Sequence, residues 1–533
     1  MGSEVNIGMV RALEKQIEEG EGDIINLKRD RNSLLNISMR APPEILGYIF
    51  GWTLVRESSW PFEGLRNGSY NFLLVCHHWF EVASHTPELW DFWGTTLQDW
   101  KKRHHRSGTT PLDLVLNECR PDPGVFFDEP LLNAVRSRVM QDKIRLVHLA
   151  SDDPHTLTHI ISSLTPNDRG SRNENIESIV LSIGGLSTVD VSDFLARSRF
   201  SRLRFLDLYG NFRIFSWDCL ASKTTLLTTL ALEICTLLPP PQPTLTTSQL
   251  FLILTSNPNL QELKLSDAFL PTDADTSTFK VQPRHLKSLS LAGEARHLFG
   301  LLCRLILPEM LDTLDLTVSN PTVEDISQTL APYMRDRFRR DPRFQDSLGV
   351  SSASSHRFIS ISVRAVSTQT TAPPRVLLTA VADLPPPPNV LEQLFVNLIA
   401  LTPRERVVFF NVGLDANPPE ELFLMMPNIE TLHLSHILLS EGFLQPNPNG
   451  PHANTKLFPS LRLLRLQDVT YLNDDDWSLL TTYLAHQTSC GQAISLEVIG
   501  DFPHECPEVV DGIRGLVKEF THRWNSEAEE NKQ

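Results

Sequence analysis

The sequence predicts an α/β protein: a small N-terminal helical domain followed by an irregular solenoid, with parallel strands on a concave face and helices on the convex side. Three observations carry that expectation. A hexapeptide with leucine-like residues at positions one, four and six recurs eleven times between residues 144 and 466. Helix-like stretches stand just before many of those copies. Residues 39–94 instead hold two apolar-rich helical segments and no such copy.

Residues 1–38 form a charged helix by pattern. Val10, Leu13, Ile17, Ile24, Leu27 and Leu34 recur every three or four residues between charges. As a heptad, the seam is interrupted by Gly20 and Arg31, so a helix packing on its own chain is favoured over a coiled-coil dimer.

In residues 39–94 the composition changes, and six of the nine tryptophans fall between 52 and 100. A helix is expected to begin at Ala41-Pro42-Pro43-Glu44, because proline suits a first helical turn and Glu44 complements the positive helix terminus. Ile45, Ile49 and Trp52 make one apolar stripe, and Leu46, Phe50 and Leu54 an adjacent one. A second helix is expected from about Asn71 to Ser84, with Phe72, Leu73, Leu74, Val75, Cys76, Trp79, Phe80, Val82 and Ala83 apolar. A domain of about 55 residues cannot bury that much surface alone, which argues for a protein partner.

The strings PPEILGYIF and NFLLVCHHWFEVASHTPELW resemble the F-box that opens many fungal leucine-rich F-box proteins. Pro42, Glu44, Ile45, Leu46, Ile49, Phe50, Val75, Cys76, Trp79, Pro87, Leu89 and Trp90 match the family pattern. Ala41 replaces a leucine, His77 replaces an arginine or lysine, and residues 56–70 lengthen the link between the helices. The resemblance implies docking on a Skp-type adaptor, and through it on a cullin ubiquitin ligase. It assigns that contact to Pro42, Glu44, Ile45, Leu46, Ile49, Phe50, Leu74, Val75 and Trp79.

Residues 95–140 read as a connector, and 141–508 as the repeat region. Its copies start at Ile144, Ile176, Leu203, Leu227, Leu260, Leu286, Leu311, Phe358, Val407, Ile429 and Leu461, with a weaker one at Ala493. The alternating core is a short strand with one apolar face, and a single copy cannot cover that face, so copies must stack as leucine-rich repeats do. Asn211 is the one copy with the usual turn asparagine. Intervals of 47 and 49 residues flank the Phe358 copy. Disordered inserts are expected at 239–243, 267–283, 343–356, 367–374 and 385–388, from their Pro, Ser, Thr or Asp content. The basic run 335–340 is expected on a solvated helix. Val510, Ile513, Val517, Phe520 and Trp524 predict a capping helix in 509–533.

The formal charge is −16, of which residues 1–110 contribute only −2. That excess argues against binding to nucleic acid or anionic membranes. Seven cysteines without a CxxC pair argue against disulfides and zinc. There is no leader-like apolar start and no membrane-length apolar run, so an intracellular protein, cytoplasmic or nuclear, is expected. No P-loop, GxGxxG, GxSxG or HExxH occurs, so neither catalysis nor a cofactor is expected. His77-His78 and His104-His105 are poor shared metal ligands, and Asp474–Asp476 reads as a helix start. An unidentified protein target would meet the exposed strand positions Asp207, Tyr209, Glu233, Lys264, Asp315, Arg364, His433, Arg465 and Gln467, with charge passing from acidic to basic along the array.

Overall fold

A computed structural model describes residues 41–53, 75–90, 111–117, 142–166, 173–184, 187–233 except 215 and 225, 245–267, 280–354 except 346, 358–365, 375–381, 393, 396–400, 402–403, 406–414, 426–435, 458–467, 474–500 and 507–523, with isolated positions between 15 and 28. The chain is mixed α/β, with a predominantly parallel sheet arrangement. It divides into two units, Met1–Gly184 and Gly185–Gln533.

In the first unit, Lys15, Gly20, Asp23, Ile24, Asn26, Leu27 and Lys28 are helical, and Ile24 and Leu27 are exposed. The rest of the predicted 9–35 helix lies outside the described residues. Helices α1 (Pro43–Thr53) and α2 (His77–Ser84) follow, then a tight turn at Pro87–Trp90. Most of the expected 95–140 connector is outside the described residues, but Leu112–Asn117 forms strand β1, which the repeat pattern did not pick out. Strands β2 (Ile144–Ser151) and β3 (Ser178–Ile183) continue a parallel run in the order β1-β2-β3. Between β2 and β3 lies α3 (Pro154–Leu164), whose N-terminus is capped by the Asp153 carboxylate accepting from the His155 and Thr156 amides. Leu114, Val147 and Ile179 stand opposite one another across this run, as do Leu116, Leu149 and Leu181.

The second unit contains, in chain order, β4 (Val189–Asp190), α4 (Ser192–Arg197), β5 (Phe205–Tyr209), β6 (Phe212–Arg213), α5 (Asp218–Lys223), β7 (Thr229–Glu233), α6 (Thr247–Ser256), β8 (Glu262–Ser266), β9 (Ser288–Glu294), α7 (Ala295–Leu302) and β10 (Thr313–Ser319). A π-turn (Asp325–Leu330) then leads into α8 (Ala331–Arg340), followed by β11 (Leu348–Ser354), β12 (Phe358–Ala365), β13 (Arg375–Val381), β14 (Val407–Leu414), β15 (Thr431–Ser435), β16 (Leu463–Gln467), α9 (Asp474–Ser489), β17 (Ser495–Ile499), α10 (Pro507–Leu516) and β18 (Glu519–Arg523). The main run of strands is ordered β5-β7-β8-β9-β10-β13-β12-β11-β14-β15-β16-β17-β18. Short β4 and β6 pair separately.

One apolar row crosses the main run in register. It comprises Leu206, Leu230, Leu263, Leu289, Leu314, Val376, Val363, Val350, Phe410, Leu432, Leu464, Leu496 and Phe520. All but Phe520 are buried. A strand shifted by one residue would turn its leucines to the polar face, so this row locks the register. Ile361, on the same face of β12, is also fully buried. Ile361→Val should lower the unfolding free energy by about 1 kcal/mol, read from the denaturant midpoint.

The long intervals around Phe358 are not simple inserts. The 343–356 segment was expected to be disordered, but it contributes a turn at Pro342–Phe344 and strand β11. Strand β13 also escapes the hexapeptide, because Pro373 stands at its first position while Val376 and Leu378 fill the other two. β12 runs antiparallel to both β11 and β13, so the parallel order is interrupted by a three-stranded meander. Short connections allow this, since antiparallel neighbours need no crossover helix. Of segment 267–283, Asp267 and residues 280–283 are described, and Val281 bridges Leu305 in parallel. Segments 239–243, 367–374 and 385–388 lie outside the described residues.

Two further expectations change. The basic run 335–340 lies on α8, but Arg337 is buried rather than solvated. The predicted C-terminal helix stops at Leu516, and Phe520 lies in β18, paired in parallel with β17. The extra strand satisfies backbone groups that a helical cap would have left along the β17 edge. Trp524 is outside the described residues.

Candidate functional site

The helical pair of the first unit sorts its apolar stripes into two environments. Leu46 and Phe50 of α1 join Val82 and Ala83 of α2 and Leu89 of the following turn in a closed core. Phe50 stacks at a tilt on Trp79, with ring centroids 5.0 Å apart. Gly47 permits the close approach, since a Cβ there would stand 3.1 Å from Thr86 Cγ2 and Oγ1. Pro42 carbonyl accepts from the Ile45 and Leu46 amides at 3.0 and 3.1 Å, and so opens α1.

The second stripe stays outside. Ile45 is 51% exposed, Tyr48 67% and Ile49 46%. Their spacing places all three on one helix face. Val75, which precedes α2, is 55% exposed and Phe80 is 41% exposed. Of the positions expected to meet a partner, Pro42, Glu44, Ile45, Ile49 and Val75 are therefore accessible. Leu46 and Phe50 are spent on the internal core, and Trp79 is half-buried against it. Leu74 lies outside the described residues. The second helix starts at His77 rather than near residue 71, with Cys76 extended ahead of it. Tyr48 and Phe80 join the accessible set; the three-residue spacing of Tyr48 from Ile45 was the signal in the sequence.

The second candidate surface is the polar face of the main strand run. Asp207, Ala231, Lys264, Ser290 and Asp315 stand opposite one another across consecutive strands. Further along, Asn411, His433, Arg465, Glu497 and Thr521 continue a row. Tyr209 and Arg364 are exposed, while Asp207, Glu233, Lys264, Asp315, His433, Arg465 and Gln467 are partly buried.

Many of these charges hold one another. Lys264 pairs with Glu233. Arg375 Nη2 lies 3.0 Å from Asp315 Oδ2. Glu497, nearly buried, accepts from Arg465 at 2.7 Å and is ion-paired with Arg523, whose Nε lies 3.0 Å from its other oxygen. The expected passage from acidic to basic is therefore offset strand by strand, by Lys264 within the predicted set and by Arg375, Glu497 and Arg523 outside it. Arg364 stands directly opposite Arg375, and only Arg375 of the two reaches Asp315.

Asp207 differs from these paired groups. Its Oδ1 is buried without a hydrogen-bond partner. Burial and then the nearby Glu233 carboxylate push its carboxyl up to about 6, against an ordinary 3.8, with Lys264 opposing the shift. The folded state thus holds this proton more tightly than the unfolded chain. The stabilising contribution is full below the unfolded value and is lost as pH rises through about 6. Asp207→Asn should accordingly raise stability by about 1–2 kcal/mol near pH ~7.5, after allowance for screening, and by almost nothing near pH ~4. Urea unfolding at the two pH values checks this; an equal effect at both would exclude the titration as the cause.

Among the described residues no cluster of three or more His, Cys, Asp or Glu side chains is arranged to hold a metal ion. His77 instead faces Glu81 at 3.5 Å, one helical turn on. His104 and His105 lie outside the described residues, and Asp474 opens α9. No described helix is long and apolar enough to cross a membrane. No protein-family model matches the chain, and no curated protein matches it either.

Proposed function

We propose that this chain is a non-enzymatic, substrate-recruiting adaptor, an F-box protein of a Skp–cullin–F-box type ubiquitin ligase. In this reading α1 and α2 dock on the Skp-type adaptor, and the strand array acts as an irregular leucine-rich-repeat solenoid that holds a protein target. The chain then supplies proximity, and other subunits supply the chemistry.

The observation that carries the proposal is the exposed Ile45–Tyr48–Ile49 face beside a core already closed by Leu46, Phe50 and Leu89. Large apolar side chains grouped on one helix face favour a protein partner over water. The F-box-like order of residues names which partner. The paired charges on the polar strand face suit a surface that recognises its target by shape and hydrogen bonding as much as by net charge.

Co-expression with a Skp-type adaptor and purification through the adaptor test the proposal. Stoichiometric recovery of the full chain is expected. No recovery, with the chain folded, would favour a stand-alone repeat scaffold instead.

A further inference from the structure

We propose that the second unit carries a binding cradle for a ligand bearing two or more phosphoryl groups, placed where β5, β7, β8 and β9 begin. It is separate from the helical pair and from the polar strand face, and it stands whether or not an adaptor docks.

Two neighbouring cavities form the cradle. One, of about 410 Å³, is lined by Arg204, Leu226, Thr228, Asn259, Gln261, His285 and Lys287. The other, of about 420 Å³, shares His285 and adds Lys280 and Arg284. His285 lines both, and together they present four permanent cations, Arg204, Lys280, Arg284 and Lys287. No carboxylate lines either cavity. In a chain of net charge −16 that local inversion is unusual. Among the other lining side chains, Thr228, Asn259, Gln261 and His285 can donate hydrogen bonds, beside the apolar Leu226, Leu254, Pro258 and Val281.

The backbone beneath is tied together by the strand ladder. Arg204 carbonyl accepts from the Thr228 and Thr229 amides, Thr228 carbonyl from Gln261 and Glu262, and Gln261 carbonyl from Lys287 and Ser288, at 2.7–3.0 Å. Arg204 and Lys287 therefore sit at matched positions three strand spacings apart, roughly 14 Å. That span exceeds one phosphate and suits two or more. The nearest carboxylate on the following repeat, Asp312, is engaged by Arg343 at 3.0 Å. The cationic groups of Arg204, Lys280, Arg284 and Lys287 are solvent-facing. Guanidinium and ammonium groups of this kind make charge-assisted bonds to phosphoryl oxygens.

Calorimetry on the full chain tests the cradle with three probes: inorganic tripolyphosphate, a doubly phosphorylated peptide, and the same peptide with glutamates in place of its phosphoserines. The double variant Arg204→Gln, Lys287→Gln should weaken tripolyphosphate by about 100-fold, near tenfold per charge-assisted contact. Arg335→Gln, an exposed cation on α8 of the same unit, should leave it unchanged. Tighter binding of the phosphopeptide than of tripolyphosphate would place the phosphoryl groups on a polypeptide, and the reverse order on a soluble anion. Either result supports the cradle. It is overturned if neither phosphorylated probe binds the wild type, if the double variant binds equally well, if Arg335→Gln weakens binding as much, or if the glutamate peptide matches the phosphopeptide.

Discussion

Ile45→Asp combined with Ile49→Asp should reduce capture by a Skp-type adaptor by at least ~100-fold while leaving thermal unfolding unchanged. Both side chains are about half exposed, so the folded chain accommodates a carboxylate at either position. At an apolar interface each carboxylate would be desolvated without a partner. Central interface residues typically contribute ~2 kcal/mol or more, and about 1.4 kcal/mol is tenfold in affinity. Leu46→Ala is the contrasting variant. Leu46 is buried with Phe50 and Leu89, so its truncation should cost about 3 kcal/mol in the helical pair itself. Capture would then fall together with helix content. Capture by the double aspartate variant at the wild-type level would remove the exposed stripe from the interface.

The second large effect is expected at Asp341, which is fully buried beside Arg337 and Arg343. Its Oδ1 accepts from the Arg343 amide and Nε, both at 3.0 Å, and its Oδ2 from Arg343 Nη2 at 2.9 Å. Arg337, itself nearly buried, reaches Asp341 Oδ2 at 3.4 Å and also donates to the Pro308 carbonyl. Arg343 extends the network to Asp312 Oδ1 at 3.0 Å and to the Leu311 carbonyl at 2.7 Å. Burial holds the Arg337 guanidinium below its ordinary value, whereas bonding to Asp341 holds that of Arg343 above it.

Asp341→Ala leaves the nearly buried Arg337 without its anion and leaves Arg343 only the exposed Asp312. A loss of about 3–5 kcal/mol is expected, measured by denaturant unfolding of the second unit. A pair this deep is poorly screened, so added salt should leave that difference nearly unchanged. A loss below about 1 kcal/mol would mean that the network acts like a surface ion pair. The network ties the approach to β10 to the turn before β11, where the parallel order gives way to the antiparallel meander.

Much of the strand array was legible in the hexapeptide, because alternation of leucine with polar residues is a local signal. β5, β7, β8, β9, β10, β14, β15 and β16 each fall on a predicted copy. β13 was hidden by a single residue, Pro373 at the first position of its copy, and β11 by its Gly and Ser content. Both are strands because neighbours on each side offer a backbone ladder and a continuing apolar row, which are non-local causes. Phe520 shows the same limit: its spacing from Val517 and Ile513 fits a helix, yet the open edge of β17 draws it into a strand.

The helical pair divides the same way. Sequence alone determined that α1 is apolar over two adjacent stripes and begins at the proline pair, because spacing and proline geometry are properties of the local chain. Only the tertiary structure decided that Leu46 and Phe50 face Val82 and Leu89 while Ile45, Tyr48 and Ile49 face outward. The physical reason is that a small helical pair can enclose one stripe at most, and the choice between two similar stripes depends on what packs across from them. The charges on the strand face obey a parallel rule. Residue type showed where Glu233, Asp315 and Arg465 stand, but their neutralisation by Lys264, Arg375 and Glu497 depends on strand register, which joins residues 31 to 60 positions apart.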